Sequence, residues 1–184
     1  MKSHAYVVVK HAIELSDHTD KPVELVVAAL IHDLGNTYCS LRKIVESELD
    51  GDNTVVKQQL SWGQRVEHEK WSVEKGIPFL EALRMSSGFI VSVVKLIINH
   101  DDHKVTGIHP TGINALLLRE CDVLWMLSPD GIQRDIDRAI ENGYEVKTPE
   151  EQWNYNFDKV GDLIVYGKYI AEGYRKQMFE KQGE

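Results

Sequence analysis

The chain has 184 residues, of which 42% are hydrophobic and 27% charged, and its net charge is -8. This length and composition are typical of a globular protein with a substantial core. The excess of acidic residues argues against a dedicated nucleic-acid surface, which is normally basic. It does not exclude a small phosphorylated substrate, because one local cluster of lysine or arginine is enough to bind phosphate.

Cysteine usage and hydropathy favour a cytoplasmic protein. Cys39 and Cys121 lie far apart and form no CxxC pair, so we expect no disulfide framework. No signal peptide is visible, and no apolar run reaches the ~20 residues needed to span a bilayer. We therefore predict a reducing, cytoplasmic environment and no membrane segment.

The hydrophobic pattern is helical along nearly the whole chain. In the first helix Val8, Ala12 and Leu15 recur at i, i+4 and i+7, and they predict a buried face from which His11 points away. The segment 23–34 is apolar on almost all sides and predicts a central buried helix. The predicted helices span residues 4–17, 23–34, 40–49, 68–84, 88–100, 114–127, 131–142 and 155–180.

The connections between these helices complete the expected architecture. Residues 36–66 have the least regular pattern in the chain. We expect the loop 101–113 to act as a lid. Without strand-like alternation, the fold class is predicted to be all-α, with one helical-bundle domain over residues 1–184. Residues 150–184 are expected to form a C-terminal helix packed on the body. Four aromatic residues predict either a packed stripe there or a homodimer face: Trp153, Tyr155, Tyr169 and Tyr174.

The dipeptide His32-Asp33 directly follows the apolar helix and is the most informative chemical signal in the sequence. An imidazole beside a carboxylate is unfavourable in an apolar core. The pair can, however, supply half of the ligands of a metal site, since both groups ligate divalent metals. Further candidate ligands are His4, His68, His100 and Asp122. A metal held by residues of this kind activates water.

Each of these residues also has a purely structural interpretation. Asp33 could cap a helix or pair with a base, and Asp122 could form an ion pair within its own helix. His4 could be a surface histidine near a frayed helix end, and His68 an exposed helix start. His100 ends an apolar helix, where the helix dipole by itself stabilises a cationic histidine. Taken singly, the residues leave both interpretations open.

Six segments in chain order resemble the motifs of one known family, including H-x-x-R-V, H-D-x-G and D-A-D-x-L. They are residues 4–15, 23–35, 67–73, 96–100, 119–124 and 128–134. The family is the HD superfamily of metal-dependent phosphohydrolases, and segments 157–159 and 167–172 are similar to those of its stand-alone bacterial members. The single His-Asp dipeptide is a weak signal, whereas the ordered set is specific and covers nearly the whole chain.

The resemblance implies an HD-type helical bundle that binds one or two divalent metal ions, with Mn, Mg, Fe, Co and Ni as candidates. The implied metal ligands are His4, His32, Asp33 and Asp122. It also implies that Asp33 orients water or bridges to a second ion, and that His68 and His100 ligate that ion or contact phosphate. Lys104 and Arg134 are the candidate substrate-binding cations. The chain departs from the family at Val7, where arginine is usual, and at Trp125, where aspartate is common.

The sequence thus predicts an enzyme that hydrolyses a small phosphate ester or anhydride with a metal-activated water. Nucleotides are among the candidate substrates. Two other classes remain open: an HD module that binds a nucleotide or a protein partner without turnover, and a di-iron HD oxygenase. Missing metal ligands would indicate the first class, and two irons per chain with visible absorption would indicate the second.

Overall fold

The computed structural model describes residues 4–35, 62–98, 100, 112–160, 163 and 165–180. These residues form eight α-helices and one 3-10 turn, and none of them lies in a strand, which confirms the all-α class. The helices are α1 (His4–Glu14), α2 (Pro22–Ile31), α3 (Trp62–Ala82), α4 (Ser87–Ile97), α5 (Ile113–Leu127), α6 (Pro129–Glu141), α7 (Pro149–Val160) and α8 (Val165–Phe179), with the turn at Ser16–His18. None of the described helices is both long and apolar enough to cross a membrane.

Helix α5 lies at the centre of the bundle. It packs against α1, α2, α4, α6, α7 and α8. Five of its apolar side chains have no solvent exposure: Leu117, Leu118, Cys121, Leu124 and Leu127. Helix α2 packs against α1, α4 and α5. The prediction of a central buried helix is confirmed for one face of α2, where Leu25, Ala28 and Ala29 have no solvent exposure. Val23 and Leu30, in contrast, are more than half exposed.

Local sequence signals account for several helix boundaries. Ser86 and Ser128 cap α4 and α6, each accepting a hydrogen bond from the backbone N–H three residues later, at 3.2 and 3.1 Å. Thr148 and Glu151 form a reciprocal capping box at the start of α7. A Cβ at Gly131 would lie 2.0 Å from the carbonyl oxygen of Trp125, so glycine is needed where α6 turns back on α5.

The prediction of a single C-terminal helix is wrong, because this part of the chain forms two helices, α7 and α8. A continuous helix over 155–180 would be about 39 Å long and could not return to the body. As two helices, α7 packs on α5 and α6, and α8 packs on α5. The predicted helix 40–49, and nearly all of the predicted lid 101–113, lie outside the described residues.

Candidate metal centre

The candidate ligands come from distant parts of the chain and meet at one end of the bundle. His4 is the first residue of α1, and Asp122 lies in the second half of α5. His32 caps the C-terminus of α2, and Asp33 follows it. Residues up to 118 positions apart in the sequence thereby come into side-chain contact.

Gly35 allows the end of α2 to abut α3. A Cβ on Gly35 would lie 2.0 Å from the carbonyl oxygen of His68, so a larger residue would push the two helices apart. The Gly35 N–H donates a hydrogen bond of 2.9 Å to Ser72 Oγ, one turn further along α3. These contacts place Asp33 beside His68, with 3.6 Å between Asp33 Oδ1 and His68 Nε2.

Four side chains present nitrogen and oxygen atoms to a common point. His4 Nε2 lies 3.1 Å from Asp122 Oδ1, 3.2 Å from Asp33 Oδ2 and 3.3 Å from His32 Nε2. His32 Nε2 lies 3.5 Å from Asp122 Oδ1 and 3.8 Å from Asp33 Oδ2. The structure thus brings together the four residues that the sequence predicts as metal ligands.

These separations fit the donor set of a divalent metal. Ligand atoms about 2.1 Å from a metal lie about 3.0 Å apart at a right angle and about 3.4 Å apart at the tetrahedral angle. The observed values run from 3.1 to 3.8 Å. Two imidazoles and two carboxylates are also a set that first-row transition metals accept. The residues present could therefore hold a divalent metal.

Backbone carbonyls orient two of the histidines. His32 Nδ1 donates to the carbonyl oxygen of Ala29 at 2.8 Å, which leaves Nε2 directed at the cluster. His100 Nδ1 lies 2.7 Å from the carbonyl oxygen of Ile97 and uses the same arrangement one turn after α4. Such a hydrogen bond from the far ring nitrogen fixes the tautomer and orientation of a metal-ligating histidine.

The cluster is strongly polarised when no metal is bound. Burial alone would lower the pKa of His4, but hydrogen bonds and charges from Asp122 and Asp33 raise it to about 10. The pKa of His32 is also raised, because the two carboxylates outweigh its burial. Burial opposes ionisation of Asp122, yet His32 and His4 hold the pKa of its carboxyl well below its usual range. In the metal-free protein, a protonated His4 therefore balances part of the negative charge of Asp33 and Asp122.

One side of the cluster faces solvent and the other is closed. The side chains of His4, Asp33 and Asp122 are each more than a quarter exposed, at 29%, 28% and 26%. Those of His32 and His100 are almost fully buried. Among the described cluster residues, the solvent-exposed side is therefore the one formed by His4, Asp33 and Asp122.

His68 and His100 extend the cluster into the protein. The His100 ring lies edge to face with both His32 and His68, at centroid distances of 5.1 and 5.4 Å. Two further donor groups could hold a metal, one formed by His32, His100 and Asp122 and the other by Asp33, His68 and His100. Both share residues with the first group of His4, His32 and Asp33, so the six residues form one continuous set.

Glu69 is a buried acidic residue that the sequence analysis did not select. Its Oε1 lies 3.4 Å from His100 Nδ1. A usable signal was present, because Glu69 precedes the buried residues Ser72 and Gly76 by three and seven positions on one face of α3. A charged residue on a buried helix face requires a partner.

Of the other residues considered in the sequence analysis, Arg134, Trp125 and His11 are described by the structure and are not part of the six-residue cluster. Lys104 lies outside the described residues. Arg134 is exposed on α6, and within the described part of the chain it makes no contact with the cluster. Trp125 packs edge-on against the His4 ring at 5.5 Å. The prediction that His11 points away from the buried face is wrong, since its side chain is fully buried.

Comparison with known proteins agrees with this geometry. The chain matches the family model of the HD domain over residues 1–127, which is more than two thirds of its length. No curated protein and no solved structure matches it. The matched range contains all six clustered residues and ends with α5. The chain belongs to the HD domain family, whose members are generally metal-dependent phosphohydrolases.

Proposed function

We propose that this protein hydrolyses a small phosphate ester or anhydride, with nucleotides among the candidate substrates. The observation that carries the proposal is the convergence of four ligand atoms, from His4, His32, Asp33 and Asp122, at separations that fit a divalent metal. Membership of the HD domain family supports the same reaction class.

The metal ligands in this proposal are His4, His32, Asp33 and Asp122. A divalent metal bound there supplies a Lewis acid, which lowers the pKa of water and stabilises charge on the phosphoryl group. The mixed nitrogen and oxygen donors favour Mn, Fe, Co or Ni, and Mg remains a candidate. The overlapping donor groups allow one or two ions.

The protein residues orient and exclude water around the reaction. Asp33 presents Oδ2 to His4 and Oδ1 to His68, so its carboxylate can orient a water molecule between the two histidines. His68 and His100 close the buried side, where each can donate to a phosphate oxygen or ligate a second ion. We assign Asp33, His68 and His100 the catalytic roles on this basis.

Substrate binding requires positive charge near the solvent-facing side of the cluster. Lys104 and Arg134 are the proposed cations, because Lys104 lies four residues after His100 and Arg134 belongs to the segment 128–134 that resembles the family. The proposed protein is a single-domain cytoplasmic enzyme, either a monomer or a homodimer. A second candidate, a di-iron oxygenase, is supported by the donor group of Asp33, His68 and His100 beside the first one.

Metal analysis of the purified protein, paired with phosphate release from a nucleotide panel with added Mn²⁺, tests the proposal. Asp33→Ala should reduce metal affinity and turnover at least about a hundredfold, because a ligand is lost. Asp158→Ala, an exposed position on α7, is the matched control and should behave as wild type. Full metal-dependent turnover by Asp33→Ala would refute the assignment, and two irons per chain without phosphate release would favour the oxygenase.

A further inference from the structure

His11 is a fully buried histidine that joins three helices. It lies on α1, and its Nε2 is 2.6 Å from the hydroxyl oxygen of Tyr174 on α8. Its Nδ1 is 3.2 Å from the carbonyl oxygen of Cys121 on α5. Both ring nitrogens are therefore paired, one with the C-terminal helix and the other with the central helix.

The two contacts determine where the protons lie. A carbonyl oxygen can only accept, so Nδ1 of His11 carries the proton that is donated to Cys121. Burial lowers the pKa of His11, which keeps the imidazole neutral and leaves Nε2 as an acceptor. The Tyr174 hydroxyl then donates to Nε2, and burial raises the pKa of Tyr174 to about 12, so the phenol keeps its proton.

The His11 contact with Cys121 joins the two helices that carry the proposed metal ligands His4 and Asp122. His11 follows His4 by seven residues, which is about two turns and about 10 Å along the same face of α1. The carbonyl that His11 holds belongs to the peptide unit joining Cys121 to Asp122. A shift of α1 relative to α5 would therefore change the His11 contact and the 3.1 Å separation of His4 Nε2 from Asp122 Oδ1 together.

Helix α8 is packed closely enough to hold Tyr174 in place. A Cβ at Gly167 would lie 2.6 Å from Oε2 of the buried Glu120, so glycine permits the close approach of α8 to α5. Ala171, one turn later, is fully buried. All of α8 lies beyond residue 127, where the match to the family model ends.

We propose that His11 is a positioning residue, held by Tyr174, that sets the spacing between His4 and Asp122 for metal binding. This inference rests on the proposed metal-dependent function. It gives the C-terminal helix a role in the site, although no residue of α8 belongs to the metal cluster.

The test compares Tyr174→Phe with Tyr169→Phe, a 69% exposed tyrosine on the same helix. Co²⁺ binding is measured by calorimetry and by visible absorption, at a temperature where thermal melts show each variant folded. We expect Tyr174→Phe to bind Co²⁺ about fivefold more weakly, with an altered spectrum, and Tyr169→Phe to match wild type. A purely structural role would lower the melting temperature and leave affinity and spectrum unchanged.

A second pair of variants separates the two contacts of His11. His11→Asn keeps a donor near the position of Nδ1, facing Cys121, whereas His11→Gln places its amide near the position of Nε2. Asn should therefore retain more Co²⁺ affinity than Gln, and this pair carries the test if Tyr174→Phe does not fold.

Three outcomes are distinguishable. Weaker binding by Tyr174→Phe and His11→Gln, with Tyr169→Phe unchanged, supports the inference. Wild-type affinity and spectrum in Tyr174→Phe and His11→Gln overturn it and leave the proposed function standing. A wild-type protein that binds neither Co²⁺ nor Mn²⁺ overturns both.

Discussion

The two ends of α1 carry the same side chain in opposite electrostatic environments. His4 contacts two carboxylates, which overcome its burial and raise its pKa to about 10. His11, two turns later, contacts a carbonyl and a phenol, and burial lowers its pKa. The charge of the neighbours, and not the depth of burial alone, decides whether an imidazole is cationic or neutral. The first environment suits a bound cation, and the second suits a neutral hydrogen-bonded link between helices.

The largest expected effect comes from removing a carboxylate beside His4. Asp122→Asn should lower Co²⁺ affinity at least about a hundredfold, because an anionic ligand is replaced by a neutral amide. It should also bring the pKa of His4 in the metal-free protein down towards its ordinary value. Calorimetry and an NMR titration measure the two effects, with Asp158→Asn as the control. Unchanged affinity would show that Asp122 is not a ligand.

The second largest expected effect is a loss of stability of the metal-free protein at alkaline pH. Because the folded-state pKa of His4 is raised above 6.5, its stabilising contribution is complete below pH 6.5 and is lost as the pH rises through about 10. We expect a loss of about 1–2 kcal/mol between pH 6.5 and 9.5 for this partly exposed group. Urea unfolding of chelator-treated protein measures it, and His4→Gln should remove this part of the slope. An equal slope in both proteins would contradict the assignment.

Tyr174→Phe tests how much the His11 contact, at the C-terminal end of α1, contributes to the free energy of unfolding. The change leaves the buried Nε2 of His11 without its donor, which should cost about 1 kcal/mol of unfolding free energy. Tyr169→Phe should stay within about 0.5 kcal/mol of wild type, because its side chain is exposed. Urea unfolding at pH 7.5 compares the two. Equal stability of both variants would mean that the His11 contact contributes nothing net.

The smallest expected effect is a loss of stability at acidic pH. Since the pKa of His11 is lowered in the fold, the unfolded chain binds its proton more readily, and stability falls as the pH drops below 6.5. The loss should be about 1 kcal/mol or less between pH 6.5 and 5.5. His11→Asn, which cannot titrate there, should reduce that slope in the same unfolding experiment. A steeper slope in His11→Asn would be incompatible with a neutral His11.

Helix positions were largely predictable because they depend on local patterns. The described helices α4 and α5 match the predicted ranges to within three residues at each end. Start signals such as Ser128 followed by Pro129 act within one turn and can be read directly from the sequence. The C-terminal region was predicted less well, because the path of α7 and α8 depends on the surface of α5 and not on local periodicity.

The candidate site was found through the order of its motifs, while its surroundings were not. His4, His32, Asp33 and Asp122 could be selected because the family carries them in sequence order. The contacts of Glu69, Tyr174 and His11 could not be found in the same way, because their partners lie 31, 163 and 110 residues away. No local pattern encodes such pairs.

Periodicity, capping and ordered motifs are local properties, so the all-α class, most helix ranges and the residue types of a metal site can be predicted from the amino-acid sequence. Whether His4 is cationic and His11 neutral depends on contacts that form only in the folded chain. A pKa depends on the charges and hydrogen bonds within a few ångströms. On α1 those neighbours come from α2, α5 and α8, which are brought together only when the chain folds.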